Sequence, residues 1–484
     1  MKTKNLKHRA LAVLLVMVMV LPLAMLGANA SWVGFGLSLT EWNPTSEASD
    51  IVVDVAYVGV SWTVSSDVYW LTVSPTSGSG MSSGTNVTIN AEANESGAVR
   101  EGIITFAVVN TATGRGLGDW TITVTQEGRG IIAVSAGTSH SLVLKSDGTV
   151  WAWGSNALGQ LGNGTTSFSE GLVQVSGLRD VIAISAEGHN SLALKSDGTV
   201  WAWGTNSNGQ LGDGTTEPSS IPVRVLDLDN VTDISVGPLH GLALRNDGTV
   251  WAWGYNRNGG LATGSSHLNV VRPARVLSLN GVEAISTGGR HSLALRDDGT
   301  VWAWGDNQFG QLGNGRTTSL AEGLVQVIGL NDVKAISAGN NHNLALRDDG
   351  TVWIWGENRS GQIDINDTLP RTSPVQVIDL YDVVDISTGM FHNLALRDDG
   401  TVWAWGANAF GRLGNGNTTP SSTPVQVSGL NGLEAISAGQ THSLVLRNDG
   451  TVWAWGANHQ RQLGVPGDSQ VPYSPVPVQS YTGT

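Results

Sequence analysis

Six histidines recur at one position of a repeated sequence and raise the question of a metal site. They are His140, His240, His291, His342, His392 and His442. Zinc sites usually bring His together with Cys or other ligands at short spacing along the chain. Here the histidines stand about fifty residues apart, no acidic residue lies at ligand spacing, and the chain has no cysteine. We therefore predict buried histidines that satisfy backbone groups at a strand start, and neither a metal nor another cofactor.

An Asp-Gly pair is the second recurring feature that could carry chemistry. Its carboxylates are Asp147, Asp197, Asp247, Asp298, Asp349, Asp399 and Asp449. Asp-Gly favours a hairpin turn because these two residues accept positive φ at low cost. We interpret the aspartates as turn residues rather than catalytic acids. No nucleophile elbow, phosphate loop, zinc-protease motif or EF-hand loop is present, so we predict that the protein is not an enzyme. Paired catalytic carboxylates have no local sequence signature, so the motif search does not decide whether such a pair is present.

These residues belong to a repeat that fills most of the chain. The phrase Thr-Val-Trp-Ala-Trp-Gly, with minor variation, has its first Trp at Trp151, Trp201, Trp251, Trp302, Trp353, Trp403 and Trp453. The second copy contains four short strands, a to d: Val181–Ala186, Ser191–Lys195, Thr199–Trp203 and Pro222–Leu226. Seven copies of four antiparallel strands predict a seven-bladed β-propeller.

The side chains of each copy favour the same architecture. Successive residues of a strand alternate faces, so Trp201 and Trp203 share one face while Val200 and Ala202 share the other. We expect a bulky face on each blade to interlock with a small face of its neighbour, as close packing requires. The tryptophan pairs are therefore predicted to be core residues rather than a stacking surface for sugars or bases.

The combined pattern resembles a known repeat family. Ser-Ala-Gly-x-x-His-Ser-Leu-Ala-Leu, Asp-Gly-Thr-Val-Trp-Ala-Trp-Gly-x-Asn and Gly-Gln-Leu-Gly are similar to the regulator-of-chromosome-condensation (alpha-tubulin-suppressor-like) repeat, whose fold is a seven-bladed propeller. The resemblance covers about residues 131–480. Departures occur at Asn190 in place of His, at Gly260-Leu261-Ala262, at Gln362-Ile363-Asp364, and at Arg461 in place of Gly.

Residues 31–126 lack this repeat and consist of short strand-like runs separated by Gly, Ser and Asn, so they are predicted to form a small β-sandwich. The expected strands are Ser61–Val64, Tyr69–Pro75, Val87–Ala91, Gly102–Val109 and Trp120–Gln126. Trp-Leu-Thr-Val-Ser-Pro-Thr-Ser-Gly, Asn94-Glu95-Ser96, Arg100 and the closing Thr-Val-Thr-Gln resemble the BACON family of immunoglobulin-like modules, which is associated with secreted carbohydrate-active proteins of gut-type bacteria. Both a spacer role and glycan or mucin binding stay open. A short linker, 127–130, leads to the propeller at 131–484.

Residues 1–30 have the features of a secretory signal peptide. Lys and Arg residues are followed by an apolar run from Ala10 to Leu26 and by Ala28-Asn29-Ala30. Cleavage near Ala30 predicts a secreted protein, whether extracellular, at the cell surface or periplasmic, with no membrane insertion afterwards. The mature chain would keep 22 basic and 40 acidic residues, a net charge of −18. Such a charge opposes binding to nucleic acid and to anionic membranes.

Comparison among the seven copies indicates where a partner could bind. In the order a-b-c-d, the a–b and c–d connections lie on one face of the propeller, here called the loop face. The b–c and d–a turns are nearly constant, whereas the loop-face connections differ between copies. Aromatic, Met and Arg side chains are frequent interface anchors. The predicted binding residues are Tyr255, Arg257, Arg290, Phe309, Arg359, Met390, Phe391, Phe410, His459 and Arg461.

Three functions follow from these patterns. The first is a secreted bacterial, monomeric, non-catalytic protein whose loop face binds a protein partner; the resemblance adds that secreted bacterial relatives include a β-lactamase inhibitor. The second is a carbohydrate-binding surface protein acting through the BACON-like module. The third is guanine-nucleotide exchange, as in the nuclear family member. That activity uses an insertion in the propeller, for which copies of 50 or 51 residues leave no room.

Overall fold

The computed structural model describes residues 34–43, 49–80, 83–92, 94, 100–126, 130–363, 367–465 and 474–478. The chain divides into two compact units, one ending at Gly130 and the other containing all the repeats from Ile131 onward. The predicted signal peptide lies outside the described residues. Within the described residues, no helix is long and apolar enough to cross a membrane.

The first unit consists of two β-sheets. Its strands are β1 (Gly34–Leu37), β2 (Glu41–Trp42), β3 (Ser49–Val58), β4 (Val60–Ser66), β5 (Leu71–Ser74), β6 (Ser77–Gly80), β7 (Ser83–Ala91), β8 (Arg100–Asn110) and β9 (Gly116–Gln126). One sheet has the order β1-β3-β7-β5 and the other the order β2-β9-β8-β4-β6. The five predicted strands are present, and β1, β2, β3 and β6 are additional. The ten residues of β3 were missed although they are rich in apolar and β-branched residues, and the buried Val53, Val55 and Tyr57 alternate with exposed neighbours.

The sandwich core accounts for most aromatic side chains of this unit. Trp62, Trp70 and Phe106 are buried between the sheets. The Arg100 guanidinium lies 4.1 Å from the centroid of the Trp70 ring, and its Nε donates to Gln126 Oε1 at 2.9 Å. Arg100, quoted above for its resemblance to BACON modules, therefore joins the start of β8 to the end of β9.

The second unit contains seven four-stranded antiparallel sheets. Blades 1 to 4 are β10 (Ile131–Ala136), β11 (His140–Lys145), β12 (Val150–Gly154), β13 (Ser169–Gln174); β14 (Val181–Glu187), β15 (Asn190–Lys195), β16 (Val200–Gly204), β17 (Ser219–Arg224); β18 (Val231–Val236), β19 (His240–Arg245), β20 (Val250–Tyr255), β21 (Asn269–Arg275); and β22 (Val282–Thr287), β23 (His291–Arg296), β24 (Val301–Asn307), β25 (Thr318–Gln326). Blades 5 to 7 are β26 (Val333–Ala338), β27 (His342–Arg347), β28 (Val352–Gly356), β29 (Arg371–Gln376); β30 (Val383–Thr388), β31 (His392–Arg397), β32 (Val402–Gly406), β33 (Ser421–Gln426); and β34 (Leu433–Ala438), β35 (His442–Arg447), β36 (Val452–Gly456), β37 (Val476–Pro477). The predicted seven-bladed propeller is confirmed, with strands a to d of each blade in chain order.

The boundaries of strand d differ from the prediction. In blade 2 the strand begins at Ser219, which pairs with Gly204 across a bulge, and ends at Arg224. Leu226 was expected in the strand, but its backbone N–H donates to Gly212 O at 3.0 Å and so leaves the sheet. The bulge explains the earlier start, because strand d has two extra residues between Ser219 and Val223, opposite the step from Ala202 to Gly204.

Blade packing corrects the expected division into one bulky and one small face. Ser191 and Ala193 pair with Trp203 and Trp201, so small residues lie beside the tryptophans on one face. The opposite face carries Leu192, Leu194, Val200 and Ala202. Trp203 is fully buried against the leucines of blade 1. Each blade thus presents a Trp face to the Leu face of the preceding blade.

The Asp-Gly turns confirm the predicted role of their aspartates. In blade 2, Thr199 donates to Asp197 Oδ1 through both its backbone N–H, at 3.0 Å, and its hydroxyl, at 2.6 Å. Trp201 Nε1 then donates to Thr199 Oγ1 at 3.3 Å. Hydrogen bonds from Thr199 hold the pKa of Asp197 below its usual value. The Asp carboxylate therefore serves the turn and the orientation of the first Trp.

The ring closes without sharing strands between blades 1 and 7. Ser141 Oγ lies 2.9 Å from His442 Nε2 and donates to Gln462 O at 2.9 Å. Trp153 Nε1 also donates to Gln462 O, at 2.9 Å. The closing junction is therefore made by the same types of side-chain contact that join the other blades, with no covalent link across it.

Candidate functional site

The recurring histidines join neighbouring blades. His140 Nε2 lies 2.9 Å from Ser191 Oγ, and His291 Nε2 lies 2.6 Å from Asn343 Oδ1. The Ser or Asn belongs to strand b of the next blade in each of the six contacts. Burial of the histidines is confirmed. The predicted backbone partners were wrong, because the imidazole contacts a side chain of the next blade, 51 or 52 residues later for five of the histidines and 301 residues earlier for His442.

The hydrogen bonds assign the histidine tautomer. Asn343 Nδ2 donates to Gln311 O at 2.8 Å, so its Oδ1 must accept from His291 Nε2–H. His291 Nδ1 then carries no proton. Burial lowers the pKa of His140 to about 3 and that of His291 to about 4. The imidazoles are neutral at pH 7, and no group of three or more potential metal ligands is formed among the described residues.

The c–d connections present their variable residues from a rigid base. An Asn follows each Trp-Gly-x, and in blade 4 Asn307 Oδ1 accepts from Leu312 N at 3.0 Å. Gln311 is fully buried and its Oε1 accepts from Phe309 N at 2.8 Å. The connection is also tied to the a–b connection, since Asp306 N donates to Arg290 O at 2.9 Å. Side chains between these anchors are held in position by the fold.

Six of the predicted binding residues form pairs across adjacent blades. The Arg290 guanidinium lies 6.0 Å from the Tyr255 ring centroid, and that of Arg359 lies 4.7 Å from the Phe309 ring centroid. The rings of Phe410 and His459 meet edge to face at 5.2 Å. Proximity of these six residues is a feature that the repeat pattern alone did not contain.

The other four predicted residues have different surroundings. Arg257 is exposed, while Met390 and Phe391 are half-buried on the a–b connection of blade 6. Arg461 is engaged within the ring: its Nε lies 3.2 Å from Glu170 Oε1 of blade 1, and its side chain is only 14% exposed. Its φ of 64° lies in the left-handed region that favours glycine, as the other blades have there. The geometry of Arg461 indicates a role in the closing junction.

The opposite face carries apolar side chains that the sequence comparison overlooked. Leu277, Ile328, Ile378 and Tyr381 are between 47% and 65% exposed on the d–a connections of blades 3 to 5. The nearly constant residue of these connections is a buried Leu, such as Leu330. We expected variation to be confined to the loop face, and this was wrong, since the residues flanking that Leu are free to differ.

Three buried or half-buried acids on strand a were also missed. Asp233 and Asp385 occupy a position that is Ala in the other five blades, and burial raises the pKa of each to about 6. Glu187 occupies a position that is Gly in the other six blades, and burial raises its pKa to about 7. Comparison of the copies position by position contains this signal.

Known families match along most of the chain. The RCC1-like domain matches residues 110–380, and the regulator of chromosome condensation (RCC1) repeat matches residues 399–446 and 449–484. A second RCC1 repeat family matches residues 383–412 and 434–462. The putative binding domain called BACON matches residues 60–127.

Curated relatives share part of the repeat array. Protein RCC2 homolog from Danio rerio is 45% identical over 74 residues, which are 15% of this chain and 15% of that protein. Ultraviolet-B receptor UVR8 from Arabidopsis thaliana is 37% identical over 100 residues, which are 20% of this chain and 22% of that protein. The match thus spans less than a quarter of either relative.

Solved structures support the fold. Prp20p from Saccharomyces cerevisiae, with a TM-score of 0.63 and 23% identity, is similar over 70% of this chain and 88% of its own. Human WBSCR16, with a TM-score of 0.59 and 24% identity, is similar over 68% of this chain and 89% of its own. Because the RCC1-like domain matches more than half of its residues, this chain belongs to the RCC1-like domain family, with a BACON module before a propeller of RCC1 repeats.

Proposed function

We propose that this protein is a secreted, non-catalytic binding protein that holds a protein partner on the loop face of its propeller. The observation that carries the proposal is the pairing of predicted residues across blades. Arg290 with Tyr255 and Arg359 with Phe309 each place a guanidinium group against an aromatic ring. Phe410 with His459 places two aromatic rings together. Arg and aromatic side chains dominate the binding energy of protein interfaces.

Rigidity of the loop face supports the same role. A buried Asn in all seven c–d connections, and a buried Gln in five of them, accept hydrogen bonds from the loop backbone, as Asn307 and Gln311 do. A surface whose side chains are already held in place loses less conformational entropy on binding. The recurring His, Asp and Trp residues are occupied by contacts within and between blades, which leaves the variable residues to provide specificity.

Secretion rests on the pattern of residues 1–30, and it predicts cleavage near Ala30. N-terminal sequencing of protein exported by the native host would test this. An uncleaved N-terminus would contradict it.

Partner capture tests the choice of face. The full mature protein is immobilised, and proteins retained from the producing organism's surroundings are compared with those retained by Phe391→Ala and Phe410→Ala variants. We expect a partner that the native protein retains and that both variants lose by at least tenfold. Tyr381→Ala, on the opposite face, is the matched control and should retain it. Loss with Tyr381→Ala alone would assign binding to the other face.

The sandwich offers less support for carbohydrate binding. Among its described aromatic side chains, Trp62, Trp70 and Phe106 are in the core, and Tyr69 is 84% exposed. Phe35, Trp42 and Trp120 are half-buried and pack against the core. Extended glycan sites generally need several exposed rings on which sugars can stack. A glycan array probed with the native protein and with Tyr69→Ala separates the two functions, because binding lost in that variant would favour the carbohydrate alternative.

A further inference from the structure

The loop between strands c and d of blade 3 lacks a side chain that fills the other six blades. The corresponding residue is Gln160, Gln210, Gln311, Gln362, Arg412 or Gln462 in the other copies, and each of these side chains is at least 96% buried. Blade 3 has Gly260. A cavity of about 70 Å³ opens there, between blades 3 and 4.

The cavity wall carries an excess of positive charge. Its lining includes Tyr255, Arg257, Arg290, Asp306 and Gln308. In the part of the chain that the structure describes, neither arginine forms an ion pair, and the Arg290 guanidinium contacts the Tyr255 ring. Burial raises the pKa of Asp306, and the charges of Arg290 and Arg257 oppose that rise. Because two guanidinium groups face one carboxyl group, the cavity wall can balance the charge of a second anion.

A buried hydrogen-bond donor of blade 4 has lost the acceptor that its counterparts in other blades use. In five blades the second Trp donates its indole N–H to the carbonyl of the residue that corresponds to Gly260 in the preceding blade, as Trp203 does to Gln160 O at 2.8 Å and Trp355 to Gln311 O at 3.0 Å. Trp304, which corresponds to them here, is fully buried and its Nε1 has no hydrogen-bond partner among the described residues. The presence of Gly260 instead of Gln therefore coincides with a lost hydrogen bond to the backbone as well as with a cavity.

We propose that this cavity receives the carboxylate of a glutamate or aspartate side chain from the protein partner, held by Arg257 and Arg290. Guanidinium groups bind carboxylates through two parallel hydrogen bonds. The volume is that of about two waters, far below the several hundred Å³ of a small-molecule pocket, so it admits the tip of a side chain rather than a sugar ring. The inference rests on the proposed loop-face function and names the chemistry that one part of that face recognises.

A titration without the partner tests the cavity directly. N-acetyl-glutamate N-methylamide is added to the full mature protein and followed by NMR, with the corresponding capped glutamine and with glucuronate as comparison ligands. We expect a Kd of about 1 mM for the capped glutamate, as suits so small a ligand, and binding at least tenfold weaker for the other two. Equal affinity for capped glutamate and capped glutamine would overturn the proposal. Tighter binding of glucuronate would also overturn it and would indicate that the ligand is an acidic sugar rather than a protein side chain.

Gly260→Gln is the decisive variant, because it restores the residue of the other blades. Gly260 has φ −60°, which any residue adopts, and a Cβ there would lie 3.2 Å from Arg257 O and 3.6 Å from Ala321 Cβ. We expect the variant to fold and to lose capped-glutamate binding by at least tenfold, as should Arg290→Gln. Gly116→Gln places the same side chain at an exposed glycine of the sandwich and should bind like the native protein. Unchanged binding in Gly260→Gln would refute the proposal.

The two proposals fail in different ways. If the loop face binds a partner but the cavity does not take its carboxylate, Phe391→Ala and Phe410→Ala lose the partner while Gly260→Gln keeps it. If the loop face binds no protein, no partner depends on Phe391 or Phe410, and the titration with capped glutamate still reports on the cavity.

Discussion

The Glu187 carboxylate accepts a hydrogen bond from the Gln440 side-chain amide at 3.1 Å, joining blades 2 and 7 across 253 positions of the sequence. Its Oε1 also accepts from Gly188 N at 3.0 Å. Blade 1 lies between the two blades in chain order and around the ring. This contact therefore braces the region in which the propeller closes.

Glu187→Gln should change the pH dependence of stability. Burial raises the pKa of Glu187 in the folded protein to about 7. A raised folded pKa contributes stability that is present below the unfolded value of about 4.5 and is lost as pH rises through 7. We expect Glu187→Gln, which keeps an acceptor oxygen, to raise the melting temperature at pH 8 and to change it little at pH 5. Glu217→Gln, at an exposed position, is the control; an equal effect at both pH values would contradict this assignment.

Asp233→Ala and Asp385→Ala should stabilise the propeller at alkaline pH. Five blades have Ala at this position, and burial raises the pKa of both aspartates to about 6. Their contribution to stability is therefore lost as pH rises from about 4 through 6. Each substitution should raise the free energy of unfolding at pH 8 by about 1–2 kcal/mol and by less at pH 4.5. Urea denaturation of the variants is compared with that of Asp119→Ala in the sandwich, which should leave stability unchanged at both pH values.

Glu187 and Asn190 should behave as a coupled pair. Blade 2 alone has Glu in place of Gly and Asn in place of His. In blade 1 a Cβ at Gly137 would lie 2.3 Å from His140 Cε1, so a side chain there excludes the imidazole. Asn190→His should cost about 1–3 kcal/mol through overpacking. The cost should largely disappear in the Glu187→Gly/Asn190→His double variant.

A double-mutant cycle on the free energy of unfolding measures this coupling. We expect an interaction energy of at least about 1 kcal/mol. Additive effects of the two substitutions would show that their joint appearance in blade 2 has no steric cause.

Ser141→Ala should weaken the closing junction more than its counterpart weakens another junction. Ser141 bonds His442 and Gln462 O across blades 7 and 1, and Ser191 bonds His140 and Gln160 O in the same way across blades 1 and 2. Each substitution leaves a buried imidazole N–H without its acceptor, at a cost of about 1–3 kcal/mol. Blades 1 and 2 are also joined by the chain itself, whereas blades 7 and 1 are not.

Protease susceptibility separates the two serine variants. Ser141→Ala should expose blades 1 and 7 to cleavage by local opening at lower temperature than Ser191→Ala does. Equal susceptibility would indicate that the closing junction is no weaker than the others.

Local patterns in the repeat were sufficient to predict much of the fold. The Asp-Gly turn, the alternation around Trp201 and the short runs before and after it each depend on neighbours within one hairpin. Strand β3 and the start of strand d were predicted poorly, because β3 has no repeat to define it and a bulge opposite Gly204 shifts the pairing of strand d. The variable loop-face residues were found because seven copies permit comparison without other sequences.

The sequence by itself determined the number of blades, their four-strand order and the positions of the Trp, His and Asp-Gly scaffold, because these depend on local periodicity repeated seven times. Only the tertiary structure decided that His140 meets Ser191, that Glu187 meets Gln440, that Arg461 meets Glu170 and that Gly260 leaves a cavity beside Arg290. These contacts join different blades, and side chains so far apart in the chain have no local pattern that records their distance. Because the blades pack side by side in a ring, the absence of a Gln side chain at Gly260 leaves a cavity between two blades, which is a candidate binding site.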